Sequence, residues 1–433
     1  MDDSQTDPES VDTAALRVAL AARGVATSAQ LQAALGKSQP TVSRLLATLG
    51  PDLVVVGRGR RTGYALPRNI LGAAGRQALY WVGPDGRIER WGRLSFLAGE
   101  RVHVEAPGVS LLSQGALPWC LAPLRGEGFL GRLLAQRLAA QGLDRDPARW
   151  PLEHVLFAAL QASDAPGALV LGEPRDVPVP TGSYDRLADD VANTLPAGSS
   201  AGGEQAKFLT RRADGAAVLV KFSPPRGTPF GERWHDLLLA EALALAVLGE
   251  HGVAVAAAHV VETPRRSFLE SLRFDRIGAA GRRHALPLWA VHEAFVGGPK
   301  QHWAATCEAL AAQRRLPPEA AAQVQALRHF GRLIGNSDMH FGNLSLFVAQ
   351  DDVAQGRFTL APVYDMLPMR WRPDPATGAL DWLPFTPESI DLQSPARAVA
   401  AVFWRRAATL ASLSKGFRAL ARTMATRIDN DGA

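Results

Sequence analysis

The stretch that most constrains this 433-residue chain is a polar run caught between two apolar ones. It reads Leu333-Ile334-Gly335-Asn336-Ser337-Asp338-Met339-His340-Phe341-Gly342-Asn343-Leu344-Ser345-Leu346. The left flank reads as the end of a buried helix and the right flank as a strand, so the fold must bring a polar loop to the edge of a core. Within it, Asp338 and Asn343 stand five residues apart. An acid that takes a proton from an attacking hydroxyl, followed a few residues on by an amide oxygen that ligates magnesium, is what a phosphoryl-transfer loop needs. His340 lies between them, where it can touch phosphate or, more simply, hold the loop in shape through a hydrogen bond.

Three other features fall in an order that suits the same chemistry. Gly198-Ser199-Ser200-Ala201-Gly202-Gly203-Glu204-Gln205-Ala206-Lys207 is a small-residue run whose backbone N–H groups can approach phosphate closely. Lys221 ends the apolar strand Ala217-Val218-Leu219-Val220-Lys221-Phe222, from which a lysine can project toward an ATP phosphate. Glu241 sits in the apolar helical run Leu239-Ala240-Glu241-Ala242-Leu243 and wants a partner, for which Lys221 is the natural candidate. Then Leu360-Ala361-Pro362-Val363-Tyr364-Asp365-Met366-Leu367 places one acid at the end of an apolar run, 22 residues beyond Asn343, as a second magnesium ligand. Each piece alone has an ordinary reading as a loop, a snorkelling lysine or a solvated helix face. Their order is what carries weight, although His-Arg-Asp, Asp-Phe-Gly and Ala-Pro-Glu are all missing.

The first part of the chain reads differently. Residues 1–11 are polar and are expected to be a disordered tail. From Asp12 a helical pattern runs to Gly24, a second short helix covers 29–35, and a third starts at Ser38-Gln39-Pro40 with proline in its first turn. Two short strands follow, 53–56 and 64–66, joined by Gly57-Arg58-Gly59-Arg60-Arg61-Thr62-Gly63. Three helices and a two-stranded ribbon are the layout of a winged helix-turn-helix, in which the third helix enters the major groove. Ser38, Gln39, Thr41, Ser43 and Arg44 on that helix can reach base edges or phosphates, and Arg58, Arg60 and Arg61 make a flexible cationic wing. From 36 to 68 there are six basic residues and one acid, so the charge follows the elements that would meet DNA.

Charge over the whole chain is far less telling: 47 basic against 42 acidic residues, a formal +5. Two distant cysteines, Cys120 and Cys307, argue against a disulfide scaffold or cysteine-rich zinc module and fit a reducing cytoplasm. The start, MDDSQTDPESVD, has no apolar core for a secretory signal, and no apolar run is long enough to span a membrane. Residues 80–91 read as a hairpin through Gly83-Pro84-Asp85-Gly86, and 172–198, rich in Pro, Gly and Asp, as a linker or long surface loop.

At Arg273-Phe274-Asp275-Arg276, Asp338–Ser345 and Pro362-Val363-Tyr364-Asp365 the sequence resembles the HipA-like serine/threonine kinases, toxins of bacterial type II toxin–antitoxin systems. The likeness covers roughly 75–433, and the N-terminal unit makes it similar to the YjjJ-type branch, with the DNA-binding unit fused to the toxin. The resemblance implies Asp338 as catalytic base, Asn343 and Asp365 as Mg²⁺ ligands, and Lys221 on the ATP phosphates. It implies that loop 198–207 covers those phosphates and that Ser199 or Ser200 is autophosphorylated; the added negative charge would repel ATP and switch the enzyme off. The adenine-contacting hinge would fall near Glu293-Ala294-Phe295. Family substrates include aminoacyl-tRNA synthetases, but nothing in this sequence identifies one.

The expected architecture is an α+β, two-lobed HipA/protein-kinase-like body preceded by a winged helix-turn-helix domain at 12–68. Its strand-rich first lobe would run over 69–300 and its helical second lobe over 301–433, with ATP and Mg²⁺ between them. The expected partners are DNA and a protein substrate, with no membrane, and a homodimer would match two DNA half-sites. Two other readings stay open at this level: a transcriptional regulator whose kinase-like part is an inactive sensor, and a small-molecule kinase.

Overall fold

The computed structural model describes residues 8–162, 164–175, 179–195, 205–374 and 377–430. The first helix spans Pro8–Arg23, starting ahead of the Asp12 start that periodicity suggests and within the stretch expected to be a tail. Helices Ser28–Leu35 and Gln39–Thr48 follow. Thr27 caps the second helix in a reciprocal pair with Gln30, and Gly36 ends it in the left-handed region, which leads the chain into the third helix. Strands Ala26–Thr27, Gly63–Ala65 and Val54–Val56 form a three-stranded antiparallel sheet in that spatial order. Its ribbon loop is not a free glycine-rich wing: Gly59–Arg61 closes into a turn of 3-10 helix. Leu16, Leu20, Leu31, Val42 and Leu45 fill the core of this unit, each contributing about 1.5–3 kcal/mol through burial. The unit leans on the next domain, where Val54, Val56 and Ala65 share a small core with Leu97 and the Arg76 guanidinium donates to the Leu53 carbonyl at 2.9 Å.

Strands Arg76–Val82, Ile88–Leu97, Arg101–Ala106, Val109–Gln114 and Leu169–Leu171 build a five-stranded antiparallel sheet, with Val109–Gln114 at one edge and Leu169–Leu171 at the other. The first two are the hairpin through Gly83–Gly86, and Trp81 and Trp91 pack together inside it at 5.9 Å. A separate four-stranded sheet has the order Ala258–Glu262, Ser267–Leu272, Ala217–Phe222, Lys207–Arg211. Helices Gly128–Leu138 and Tyr184–Thr194 contribute Phe129, Leu187 and Val191 to its own core beside Phe208, Val220 and Phe268. The long helix Pro229–Glu250 packs against its strands Ser267–Leu272 and Ala258–Glu262. Helices Trp303–Ala312, Pro318–Leu333, Ala396–Thr409 and Lys415–Asn430 form the helical part.

Three boundaries differ from the sequence expectation. The segment 172–198 is not all linker, because Tyr184–Thr194 is a helix whose Leu187, Ala188 and Val191 repeat at helical spacing beneath a polar face. The helical lobe begins before 301, because strand His284–Pro287 pairs with Ser345–Val348 next to the polar loop. Residues 69–300 do not share one core: Leu79, Trp81 and Phe96 of the five-stranded sheet lie in a continuous core with Phe330, Phe403 and Trp404 of the helical part, while Phe208, Val220 and Phe268 of the four-stranded sheet form another, and its strand Ala258–Glu262 touches the first through Ala258 and Val260. Strand-like runs announce strands; which core they enter is decided by packing at long range. Among the described residues no helix is long and apolar enough to cross a membrane, and Cys120 and Cys307 are buried free thiols.

Candidate active site

Lys221 lies near the end of the central strand Ala217–Phe222 and is only 5% exposed. Its ammonium donates to both oxygens of Glu241, at 2.6 and 2.7 Å, and also to the Asp365 carboxylate. Glu241, 1% exposed, sits mid-way along Pro229–Glu250, a helix started by Pro229 in its first turn and by the Thr228 hydroxyl accepting from the Gly231 N–H at 3.0 Å. An acid in so apolar a helix is tolerable because a buried cation faces it. Burial raises the Glu241 carboxyl above its ordinary value, against the pull of Lys221. Burial would raise Asp365 as well, but the lysines Lys221 and Lys207 outweigh it and hold that carboxyl at about 2. Asp365 has φ +53°, a left-handed conformation unusual for a residue other than glycine. Backbone strain of this kind is kept only where the surrounding structure enforces it.

That enforcement comes from the polar loop. Helix Pro318–Leu333 ends, Gly335 turns the chain at φ +77°, and the Asn336 amide N–H returns to the Gly331 carbonyl at 2.8 Å. The Asn336 side chain accepts from the Asp338 N–H at 3.0 Å and donates to the Asp365 carbonyl at 3.4 Å, tying the two acids together. The Asn343 side-chain amide donates to the Asp338 carbonyl at 2.8 Å, and its backbone N–H to the His340 carbonyl at 2.9 Å. The Tyr364 hydroxyl donates to the Gly342 carbonyl and meets Ser345 Oγ, both at 2.7 Å. His340 Nδ1 accepts from the Gly342 N–H at 3.0 Å, the shape-holding bond expected of it, while its ring stays exposed. The half-buried Asp338 carboxylate accepts no hydrogen bond among the described residues.

The structure thus brings Lys221, Glu241, Asp338, His340, Asn343 and Asp365 into one cluster. Ser199, Ser200, Gly202 and Gly203 lie outside the described residues. Glu293 and Phe295 do not join the cluster. Glu293 pairs with Lys300 at 2.7 Å, and Phe295 is boxed in by Trp119 at 5.1 Å, Phe358 at 5.4 Å and the Arg315 guanidinium at 4.4 Å. The chain leaves the four-stranded sheet through Leu272–Arg276 instead. There Phe274 packs on Tyr364 at 5.4 Å, while Arg273 and Arg276 grip the buried Asp275 and Asp164. The pattern Arg-Phe-Asp-Arg divides its labour: the aromatic packs on Tyr364 and the Asp275 carboxylate fastens the segment to the Gly167 backbone N–H at 3.0 Å. The acid of Arg273-Phe274-Asp275-Arg276 is held below its ordinary value because its two arginines outweigh its burial.

Lys207 is the residue that reading the sequence passes over. It stands directly across the strand pair from Lys221 and therefore on the same face of the sheet. It acts electrostatically on Asp365 and Glu241, and its ammonium makes no hydrogen bond or ion pair of its own among the described residues. A signal for it exists: a lysine closing a small-residue loop and opening a strand.

At the other end of the molecule Ser38, Gln39, Ser43 and Arg44 are exposed on or beside the third helix, and Thr41 is half-buried with its hydroxyl 3.0 Å from that of Ser38. Arg58 and Arg61 are exposed, and neither they nor Arg44 form an ion pair among the described residues. The Arg60 side chain lies outside the described set.

Residues 199–431 match the family model of the HipA-like C-terminal domain, and the chain is 34% identical over 432 residues to "Toxin YjjJ" of Escherichia coli (strain K12), covering 94% of this chain and 95% of that one. The chain belongs to the HipA-like toxin family. Residues 73–176, the span of the five-stranded sheet, match the YjjJ-like toxin middle domain. The HipA-like fold is borne out by a solved structure, that of Shewanella oneidensis MR-1 HipA with HipB and its operator DNA. The match has a TM-score of 0.53 at 16% identity, over 81% of this chain and 95% of that one. Among HipA-like proteins this chain therefore carries the kinase-like body and the YjjJ-type middle domain in a single polypeptide.

Proposed function

We propose that the chain is an ATP- and Mg²⁺-dependent protein serine/threonine kinase with a fused DNA-binding unit. The observation that carries this reading is the placement of the Lys221 ammonium between Glu241 and Asp365, with Asn336 tying Asp365 to Asp338 and Asn343 donating to the Asp338 carbonyl. Asp338, whose carboxylate accepts no hydrogen bond among the described residues, accepts the proton of the acceptor hydroxyl. The hydroxyl oxygen forms the new bond to the γ-phosphorus, the bond to the β–γ bridging oxygen breaks, and ADP leaves. Lys221 and Lys207 bind the phosphate oxygens. Asn343 and Asp365 supply the amide and carboxylate oxygens that suit Mg²⁺, which prefers hard oxygen donors and few protein ligands. The ion's chemistry is to neutralise charge on the phosphates. Loop 198–207 covers the phosphates, with Ser199 or Ser200 as the self-modified serine.

Exposed, unpaired Arg44, Arg58 and Arg61 beside the polar start of the third helix support DNA as the partner of the N-terminal unit. Binding in cis makes the toxin part of its own regulation. Intact mass after incubation with Mg·ATP tests the kinase reading. Wild type gains about 80 Da per phosphate, and Asp338→Ala slows transfer by about 10²–10⁴. An unchanged rate in Asp338→Ala overturns the assignment.

A further inference from the structure

Beside the catalytic loop lies a cavity of about 970 Å³ whose lining does not include Lys221. Its floor includes His340, Phe341 and Gly342, the residues between Asp338 and Asn343. One wall is helix Leu288–Phe295, through Trp289 and Glu293, and the opposite wall is the edge strand Val109–Gln114 of the middle domain. Three consecutive residues of that strand, Leu111, Leu112 and Ser113, line the cavity. Consecutive strand residues point to opposite faces, so the cavity meets the strand edge-on, along its backbone, rather than across a face.

That edge is unguarded. Val109–Gln114 pairs only with Arg101–Ala106 among the described residues. Its sequence, Val-Ser-Leu-Leu-Ser-Gln, has no charged residue and no proline, and Leu112 is 46% exposed. Proteins normally blunt a six-residue edge of this kind with charge, proline or cover, because its free N–H and C=O groups invite another strand. The charged groups around the cavity cancel: Lys300 pairs with Glu293 at 2.7 Å and Arg125 with Glu127 at 3.7 Å. What remains is an uncharged strand edge and apolar side chains, including Leu111, Trp119 and Trp289, leading to the catalytic loop.

We infer that this groove receives the acceptor: an extended, uncharged polypeptide segment of another protein adds as a strand to Val109–Gln114 and presents its serine or threonine hydroxyl to Asp338. The edge supplies about 20 Å of main-chain pairing at roughly 3.3 Å per residue. Apolar side chains of the segment enter between Leu111, Trp119 and Trp289. The middle domain is then the acceptor-binding part of the enzyme, which fits its sharing a core with the helical lobe that carries the loop. The inference rests on the kinase reading above and gives its protein acceptor a binding surface and a main-chain mode of recognition.

The test uses the full chain and, as probe, a pool of fluorescent twelve-residue peptides with a central serine and uncharged flanks. Backbone hydrogen exchange with and without the pool should show slowed exchange concentrated at residues 109–114. Leu112→Lys, at an exposed position, should weaken binding of the pool at least tenfold in fluorescence anisotropy. No binding by wild type, binding without protection at 109–114, or equal binding by Leu112→Lys each overturns the groove. Protection at 109–114 without phosphate transfer on adding Mg·ATP supports the groove and overturns the kinase reading instead, so the two failures are separable.

Discussion

Replacing Lys221 with methionine keeps the length of the side chain and removes the buried charge that Glu241 and Asp365 share. In the wild type the ammonium sits 2.6 and 2.7 Å from the two Glu241 oxygens and also holds Asp365. Removing one partner of a buried ion pair costs about 3–5 kcal/mol, because the remaining charge is left without compensation. Here two carboxylates remain, so the loss depends on pH. The Glu241 carboxyl, already raised by burial and lowered chiefly by Lys221, rises further in the variant. A carboxyl whose folded-state value lies above its unfolded one binds more protons in the native state, so its contribution to stability falls as pH rises between the two. Wild-type Asp365, held at about 2, does not titrate in that window. Lys221→Met should therefore be destabilised more at pH 8 than at pH 5, the gap widening by about 1.5–3 kcal/mol, within the limit of about 1.4 kcal/mol per proton per pH unit. Urea titrations of both proteins at the two pH values measure this. Adding Glu241→Gln to the variant should remove most of the widening. A deficit equal at both pH values, or no deficit, refutes the buried three-residue cluster.

Asp275→Ala should cost about 3–5 kcal/mol, since it removes the buried carboxylate that Arg273 and Arg276 share; a variant as stable as wild type in the same titration removes its structural role. Tyr364→Phe deletes the hydroxyl that fixes the Gly342 carbonyl, leaves a part-buried acceptor short of a partner at about 1–3 kcal/mol, and should lower kcat while the KM for ATP stays near wild type; a loss confined to KM contradicts that. Arg58→Ala with Arg61→Ala should flatten the dependence of log Kd for duplex DNA on log salt by about 0.9 for each phosphate that the pair neutralises; an unchanged slope excludes the ribbon from the interface.

Much of the candidate site is legible in the order of residues. Asp338, Asn343, Asp365, Lys221 and Glu241 each stand out because a polar group interrupts an apolar run, and such interruptions survive only when something compensates them. Local signals also place the third helix by its proline and the hairpin by Gly83-Pro84-Asp85-Gly86, because turns and caps are decided by neighbours in the chain. Glu293 and Phe295 stand apart from the Lys221 cluster, because an acid and an aromatic beside glycines look alike in a connector and at the end of a packed helix. Phe295 is held by Trp119 and Phe358, 176 and 63 residues away in sequence. Lys207 escapes a reading of the sequence because its meaning comes from a register, Lys207 opposite Lys221, that strand propensity does not carry.

The amino-acid sequence by itself displayed the residues on which the proposed chemistry rests: Asp338, Asn343, Asp365, Glu241 and the strand lysine Lys221, in an order that local signals mark. Tertiary structure alone decided that the five-stranded sheet shares its core with the lobe carrying the Asp338 loop, that Phe274 of the segment leaving the four-stranded sheet packs on Tyr364, and that residues of an edge strand line the same cavity as His340. The reason is that hydrophobic burial is non-directional. Alternating apolar residues say that a face will be covered, and only the packed chain says by what.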